Sequence, residues 1–180
     1  RDEFSWVNSM ILPVVIAGGV GSRLWPVSRT TAPKQFIRFP QFKESLFQKT
    51  IKRIYGIPSM SPPLVICSKD HHSLVVEQLS SMEQSEGSIL LEPIGRGTAP
   101  ACAMAALLAK ERDPDTILLV IPADHVIQDL TSFRLAIQEA MPVASKGYLV
   151  TFGVRPETPS TGYGYIKKGE LIEGSLGFEV

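Results

Sequence analysis

The sequence predicts an α/β fold, an open and mostly parallel sheet sandwiched by helices, and three features predict it. Short β-branched runs alternate with segments of helical periodicity. Their spacing suits right-handed βαβ crossovers, which place helices on both faces of one sheet. A glycine-rich turn directly follows the first run. In such sheets ligands bind at the carboxyl ends of the strands, near the point where strand order reverses, so residues just after each run carry the functional information.

Residues 14–17, 64–67, 88–91, 116–121 and 148–152 read as buried strands, being continuous apolar runs of strand length. Ser45-Leu46-Phe47-Gln48 has capping-box spacing, and Leu46, Phe47, Ile51, Ile54 and Tyr55 then fall on one side of a helix. Further helices are expected over residues 70–82, 99–112 and 133–145. Pro58, Pro62 and Pro63 mark a rigid surface loop. Beyond residue 160, Gly162, Gly164, Gly169, Gly174 and Gly177 interrupt short apolar segments, which predicts hairpin-like structure.

At 180 residues, 44% hydrophobic and 20% charged, the chain can bury one sizeable core and is too short for two full domains. One soluble globular unit is expected. Eighteen basic residues balance eighteen acidic ones, leaving no broad positive field for nucleic acid or an anionic membrane. The longest apolar runs, such as residues 117–121 and 13–17, fall far below the roughly 20 residues a spanning helix needs. Neither nucleic acid nor a membrane is therefore expected as a partner. Residues 1–9 lack the apolar run and cleavage pattern of a signal peptide and precede Met10, so they read as an extension segment. Cys67 and Cys102 show no disulfide or metal spacing and read as small buried thiols, which suits a reducing cytoplasm.

The first run ends in Ala17-Gly18-Gly19-Val20-Gly21-Ser22-Arg23, with three glycines inside four residues. Glycine permits positive φ and close ligand approach, so successive backbone N–H groups can converge on a purine edge or on phosphate oxygens. Arg23 adds a planar cationic fork, and Lys34 a compact point charge after Pro33, both suited to one polyphosphate. The spacing matches neither a Walker A loop nor the dinucleotide fingerprint. Trp25 and Phe36 read as packing residues, each lying beside proline or an extended segment.

After the third run, Glu92-Pro93-Ile94-Gly95-Arg96-Gly97-Thr98-Ala99-Pro100-Ala101 turns into a helix whose N-terminus offers free N–H donors. Thr98 also fits a plain N-cap. The fourth run empties into Pro122-Ala123-Asp124-His125, which puts Asp124 at the sheet edge as a hard oxygen donor of the kind magnesium takes. His71 and His72 belong to no metal-binding pattern and read as surface or cap residues.

The run from Gly18 through Arg29, Gly-Gly-Val-Gly-Ser-Arg-Leu-Trp-Pro-Val-Ser-Arg, followed by Pro33-Lys34-Gln35-Phe36, closely resembles the signature of bacterial mannose-1-phosphate guanylyltransferases. These include bifunctional proteins that also carry a phosphomannose isomerase domain. The resemblance extends from about Met10 to the end of the chain. It implies a Rossmann-like sheet of the nucleotide-diphospho-sugar transferase type, with residues 10–180 as the N-terminal part of the nucleotidyltransferase domain. The implied activity is magnesium-dependent transfer of GMP from GTP to mannose 1-phosphate, giving GDP-mannose and pyrophosphate. The implied setting is cytoplasmic GDP-mannose and polysaccharide biosynthesis, and a homo-oligomer is compatible with it.

By the same resemblance, Arg23 and Lys34 would contact the GTP phosphates as catalytic residues. The backbone of Ala17, Gly18, Gly19, Gly21 and Ser22 would approach the base and triphosphate. Glu92, Gly97 and Thr98 fall in the family's E-P-x-x-R-N-T-A-P-A motif, in the nucleotide-binding neighbourhood, although Gly97 stands where the family usually has Asn. Pro122, Ala123 and Asp124 match its metal-binding segment, with Asp124 the magnesium ligand. His125 would only support it, because transfer to an existing phosphate needs no deprotonated alcohol. Thr158-Pro159-Ser160-Thr161-Gly162-Tyr163-Gly164-Tyr165-Ile166 resembles P-E-T-G-Y-G-Y-I, which would give Gly162, Tyr163 and Gly164 to the mannose phosphate pocket. Ser160 replaces the usual Glu, and a plain hairpin would use the same tyrosines. The family's F-x-E-K-P motif, a further metal-binding aspartate and the remaining sheet would follow Val180, so the sheet is expected to be C-terminally incomplete. A catalytically silent regulatory subunit that binds nucleotide sugars, or an enzyme of other base or sugar specificity, would retain the same three motifs.

Overall fold

In the computed structural model, which describes residues 11–19, 24–29, 31–82 and 87–180, four of the apolar runs become strands. These are β1 (Ile11–Ile16), β2 (Leu64–Ser68), β3 (Ser88–Glu92) and β4 (Ile117–Pro122). The helices are α1 (Leu46–Ile54), α2 (His72–Ser80), α3 (Thr98–Arg112) and α4 (Leu130–Ala144). The described backbone falls into two compact units, one running up to Gln128 and the other Asp129–Val180.

All strands lie in the first unit as one parallel sheet of order β3-β2-β1-β4. The chain steps outward from β1 to β2 and β3, then returns past β1 to β4, so strand order reverses between β1 and β4. With right-handed crossovers, that reversal sets α3 on the face opposite α1 and α2. Ala101 and Ala105, one helical turn apart on α3, pack on Val14, Leu64 and Ile66 with Leu12, Ile16, Leu90 and Leu118 around them. Alanines there let the helix approach the sheet closely while the larger aliphatics supply the buried area, about 1.5–3 kcal/mol for each large side chain. One step out of phase, Val15, Val65 and Cys67 are fully buried. On that other face α1 packs against β1 and α2 against β2.

Pro13 sits inside a central strand, where proline normally forfeits a ladder bond. Here it is tolerated. Ile11 points its N–H to Ser59 and its carbonyl to Ser61, on the β2 side, and Pro13 faces the same way two residues on. The β1–β2 ladder begins only at Val14–Leu64, so the missing donor falls ahead of it.

The capping box forms as its spacing predicts: Gln48 N donates to Ser45 Oγ at 3.1 Å, and Ser45 N donates to Gln48 Oε1 at 3.2 Å. Phe47, Ile51 and Ile54 then bury one face of α1.

In the second unit Asp129 caps α4, accepting from Ser132 N at 2.9 Å and from Ser132 Oγ at 2.7 Å. The hairpin-like expectation for the glycine-rich segment is met over residues 169–179. There Gly169 N donates to Glu179 O, Glu179 N to Glu170 O and Ile172 N to Gly177 O. The expected strand at residues 148–152 does not form. Leu149 is 100% exposed, and no ladder partner for this run exists among the described residues. Strand-like composition does not make a strand without a neighbouring ladder.

Candidate functional site

The glycine loop starts as the buried end of β1. Ala17 N donates to Ile66 O at 2.8 Å, continuing the sheet by one bond, and the chain then turns through Gly18 and Gly19. A Cβ on Gly18 would stand 3.2 Å from Glu92 Oε2, so glycine lets the loop lie against that carboxylate. Gln35, buried beneath, donates from Nε2 to Ala17 O at 2.9 Å and to Gly19 O at 2.8 Å. Gly21, Ser22 and Arg23 lie outside the described residues.

Pro33, extended at φ −64° and ψ 150°, leads into a 3₁₀ turn at Lys34–Phe36 that carries three side chains in different directions. Gln35 reaches the loop. Phe36 packs at 5.4 Å between ring centroids from Phe47 and 5.9 Å from His71. Lys34 Nζ lies 2.5 Å from Asp124 Oδ2, with the two side chains 32% and 28% exposed. The turn is held from behind by Gln78, whose Nε2 donates to Phe36 O at 2.8 Å and whose Oε1 accepts from the capping Ser45 Oγ at 2.6 Å.

Asp124 lies two residues beyond the end of β4. Pro122 is registered with Ile16, and the buried Ala123 donates its N–H to Ile16 O at 3.0 Å, so the carboxylate emerges where β1 and β4 part. Arg53 on α1, itself buried, donates from Nη2 to His125 O at 2.7 Å and to Thr50 Oγ1 at 3.0 Å, fixing the turn that bears Asp124. Burial pushes the Arg53 guanidinium below its ordinary pKa. His125 Nε2 is 3.9 Å from Asp124 Oδ1, and its ring is largely exposed. Among the described residues no three His, Cys, Asp or Glu side chains gather into a metal-holding group.

A cleft of about 380 Å³ opens at the carboxyl ends of β1, β2 and β3, lined by Gly18, Thr31, Ser68, Asp70, His71, Glu92 and Gly95. That volume falls in the range of about 300–1,000 Å³ usual for small-molecule sites. Glu92, the last residue of β3, is buried at its wall. The Cys67 thiol beneath is pushed up to about 11, first by burial and then by the Glu92 charge.

Several expectations need correction. Thr98 is not the N-cap of α3 but its first residue; the cap is Gly97, at φ 89° and ψ −175°, with no side-chain cap bond. That backbone region is essentially reserved for glycine, so the residue that departs from the family pattern also sets the entry angle of the helix. Trp25 does not pack and is 76% exposed, whereas Phe36 packs as expected. His71 is buried rather than at the surface but occupies the N-cap position of α2, without a side-chain cap bond, and His72 is exposed, so the surface-or-cap expectation holds in part.

Gly162, Tyr163 and Gly164 belong to the second unit, Asp129–Val180. Tyr163 is exposed. Tyr165 Oη accepts from Ser160 N at 2.6 Å and donates to Ser160 O at 3.1 Å, closing this turn on the residue that replaces the usual Glu.

A family model described as nucleotidyl transferase matches residues 12–175. The chain belongs to the nucleotidyl transferase family. Among curated proteins, this nucleotidyl transferase chain is 49% identical over 178 residues to the mannose-1-phosphate guanylyltransferase of Escherichia coli K12, covering 96% of this chain and 37% of that protein. It is 50% identical over 163 residues to mannose-1-phosphate guanylyltransferase RfbM of Salmonella typhimurium LT2, covering 89% and 34%. A Thermus thermophilus structure described as a mannose-1-phosphate geranyltransferase superposes with TM-score 0.80 at 32% identity, covering 93% of this chain and 49% of that one. A Helicobacter pylori structure described as a mannose-6-phosphate isomerase gives TM-score 0.69 at 31% identity, covering 84% and 53%. The chain spans a little over a third of the length of these curated relatives.

Three residues that shape the candidate site are not singled out by the sequence: Gln35, Gln78 and Arg53. Only Gln35 carried a signal, an amide set between a cation and a core aromatic in the Pro33–Phe36 run.

Proposed function

We propose that the polypeptide carrying this chain transfers GMP from GTP to mannose 1-phosphate, releasing pyrophosphate and forming GDP-mannose. The observation that carries this reading is the meeting of Lys34 and Asp124 at the carboxyl ends of β1 and β4, where doubly wound sheets bind ligands. The relatives at 49% and 50% identity support the choice of substrates. Residues 10–180 would form the N-terminal part of the nucleotidyltransferase domain, with residues 1–9 an extension. Two free thiols suit a reducing cytoplasm, and no helix among the described residues is long and apolar enough to cross a membrane.

The base would enter the cleft over β2 and β3. There the two oxygens of a Glu92 carboxylate could accept together from the adjacent N1–H and N2–H donors of guanine, a donor pair that adenine, cytosine and uracil lack. The triphosphate would lie along the loop from Ala17 to Ser22 toward Lys34, with Gly97 and Thr98 at the free N-terminus of α3 nearby in the chain's nucleotide motif. Arg23 is assigned to the phosphates from sequence alone.

An oxygen of the mannose phosphate would attack the α-phosphorus in line, forming one P–O bond as the bond to pyrophosphate breaks. Positioning and charge stabilisation supply the rate. Lys34 would neutralise charge on the phosphates, and Asp124 would hold magnesium. A single partly exposed carboxylate fits that ion, which takes one or two carboxylates and completes its shell with phosphate and water. When bound, magnesium would stabilise charge on the phosphate oxygens. Gly162, Tyr163 and Gly164 are proposed for the mannose side.

GTP labelled at the α-phosphate tests the transfer. Label appearing in GDP-mannose supports it, and label remaining in GTP beside mannose 1-phosphate and magnesium contradicts it.

A further inference from the structure

We propose that Gln35 is a positioning residue for nucleotide binding, its side-chain amide holding the start of the glycine loop, Ala17 to Gly19, in the shape that receives the triphosphate. The inference rests on the nucleotide-binding reading of that loop. Gln35 is 2% exposed, and its amino group, which has two N–H donors, donates to Ala17 O at 2.9 Å and to Gly19 O at 2.8 Å. These carbonyls flank Gly18. Reversing the amide would set Oε1 against two carbonyl oxygens, so the hydrogen bonds determine its orientation.

Two physical consequences follow from that geometry. A glycine pair samples many conformations, and an external constraint is what selects one of them before ligand arrives. Carbonyl oxygens aimed at a polyphosphate repel it, while backbone N–H groups attract it. Gln35 turns two carbonyls toward itself and away from any ligand on the open side of the loop. It also ties the loop to Lys34, the preceding residue in a turn that Gln78 clamps through Phe36 O.

Gln35 Oε1 is buried without a hydrogen-bond partner among the described residues, a costly state for an acceptor. An apolar side chain of the same size would avoid that cost at Oε1 but would abandon the two loop carbonyls. The arrangement sacrifices an acceptor to keep two donors on the loop.

The test uses the full-length polypeptide, with GTP binding measured by calorimetry in wild type, Gln35→Met and Gln35→Glu. Gln35→Met is expected to weaken GTP about tenfold or more while the KM for mannose 1-phosphate stays within about twofold. Gln35→Glu adds a signature of donor chemistry, because a protonated carboxyl can still donate one bond and a carboxylate repels both carbonyls. Its deficit against wild type is expected to grow about tenfold between about pH 5.5 and pH 8.5. Equal losses on both substrates, or a Glu deficit that does not change with pH, would overturn the proposal. If Gln35→Met does not fold, the Glu variant decides. If neither folds, Gln35 is a folding residue and the proposal falls. A wild type that binds no GTP sinks both readings; a wild type that binds while both variants bind within about twofold sinks this inference alone.

Discussion

Lys34 Nζ stands 2.5 Å from Asp124 Oδ2, joining the cation that follows the glycine loop to the carboxylate that follows β4. The two elements come from opposite sides of the strand-order reversal, and the pair marks the point where they converge. Each partner is about one third exposed, so solvent screens the attraction, and such pairs contribute roughly 0–1 kcal/mol to stability. Lys34→Gln should therefore leave thermal unfolding nearly unchanged while lowering turnover by about 100-fold or more, the loss usual for a preorganised charge at the reacting phosphates. Calorimetric melting and steady-state turnover check both halves of that expectation.

Arg53 acts on the same carboxylate through the backbone. Arg53→Met removes the 2.7 Å bond to His125 O and the bond to Thr50 Oγ1. Bonds from a charged donor are worth about 1.5–3 kcal/mol, so denaturant unfolding should show a loss of that order. Affinity for manganese, measured by electron paramagnetic resonance in the presence of GTP, should fall with it, since Asp124 loses its anchored turn. Unchanged manganese affinity in a folded variant would remove Arg53 from the site.

The departure at Gly97 also has a measurable consequence. At φ 89° and ψ −175° the backbone occupies a region that side chains with a Cβ avoid, although the space around it is open. Gly97→Asn should cost about 1–3 kcal/mol in unfolding free energy rather than simply restoring the family's amide. A variant as stable as wild type would mean that the helix entry relaxes freely.

How much of this was readable beforehand divides along a physical line. Local signals worked. The four apolar runs became the parallel sheet, and Ser45 with Gln48 formed the capping box, because each depends on neighbours within a few residues. Contacts between distant segments were not readable. Nothing in the letters separates buried Arg53 from Lys52, which pairs with Glu44 near the surface, or singles out Gln78 as the clamp on Phe36. Trp25 and Phe36 share a motif and similar chemistry, yet only Phe36 meets Phe47 and His71. Residues 148–152 misled for the complementary reason, since strand composition was present and, among the described residues, a ladder partner was not.

Cys67 supplies the pH dependence. Burial and the Glu92 charge raise its thiol from 9.0 to about 11, so the folded state keeps a proton that the unfolded chain loses. The stabilisation this gives is complete below about pH 9 and is lost as pH rises toward about 11. Chemical unfolding across that window should show falling stability, and the fall should be smaller in Cys67→Ala. In native protein a thiol reagent at about pH 8 should modify the partly exposed Cys102 first, with Cys67 reacting only on unfolding.

The most direct test of the central claim is pyrophosphate release by the full-length polypeptide with magnesium, GTP and mannose 1-phosphate, run beside ATP, UTP and glucose 1-phosphate. Release that is fastest with GTP and mannose 1-phosphate is the predicted result. No release with that pair, or faster release with another base or sugar phosphate, would contradict it.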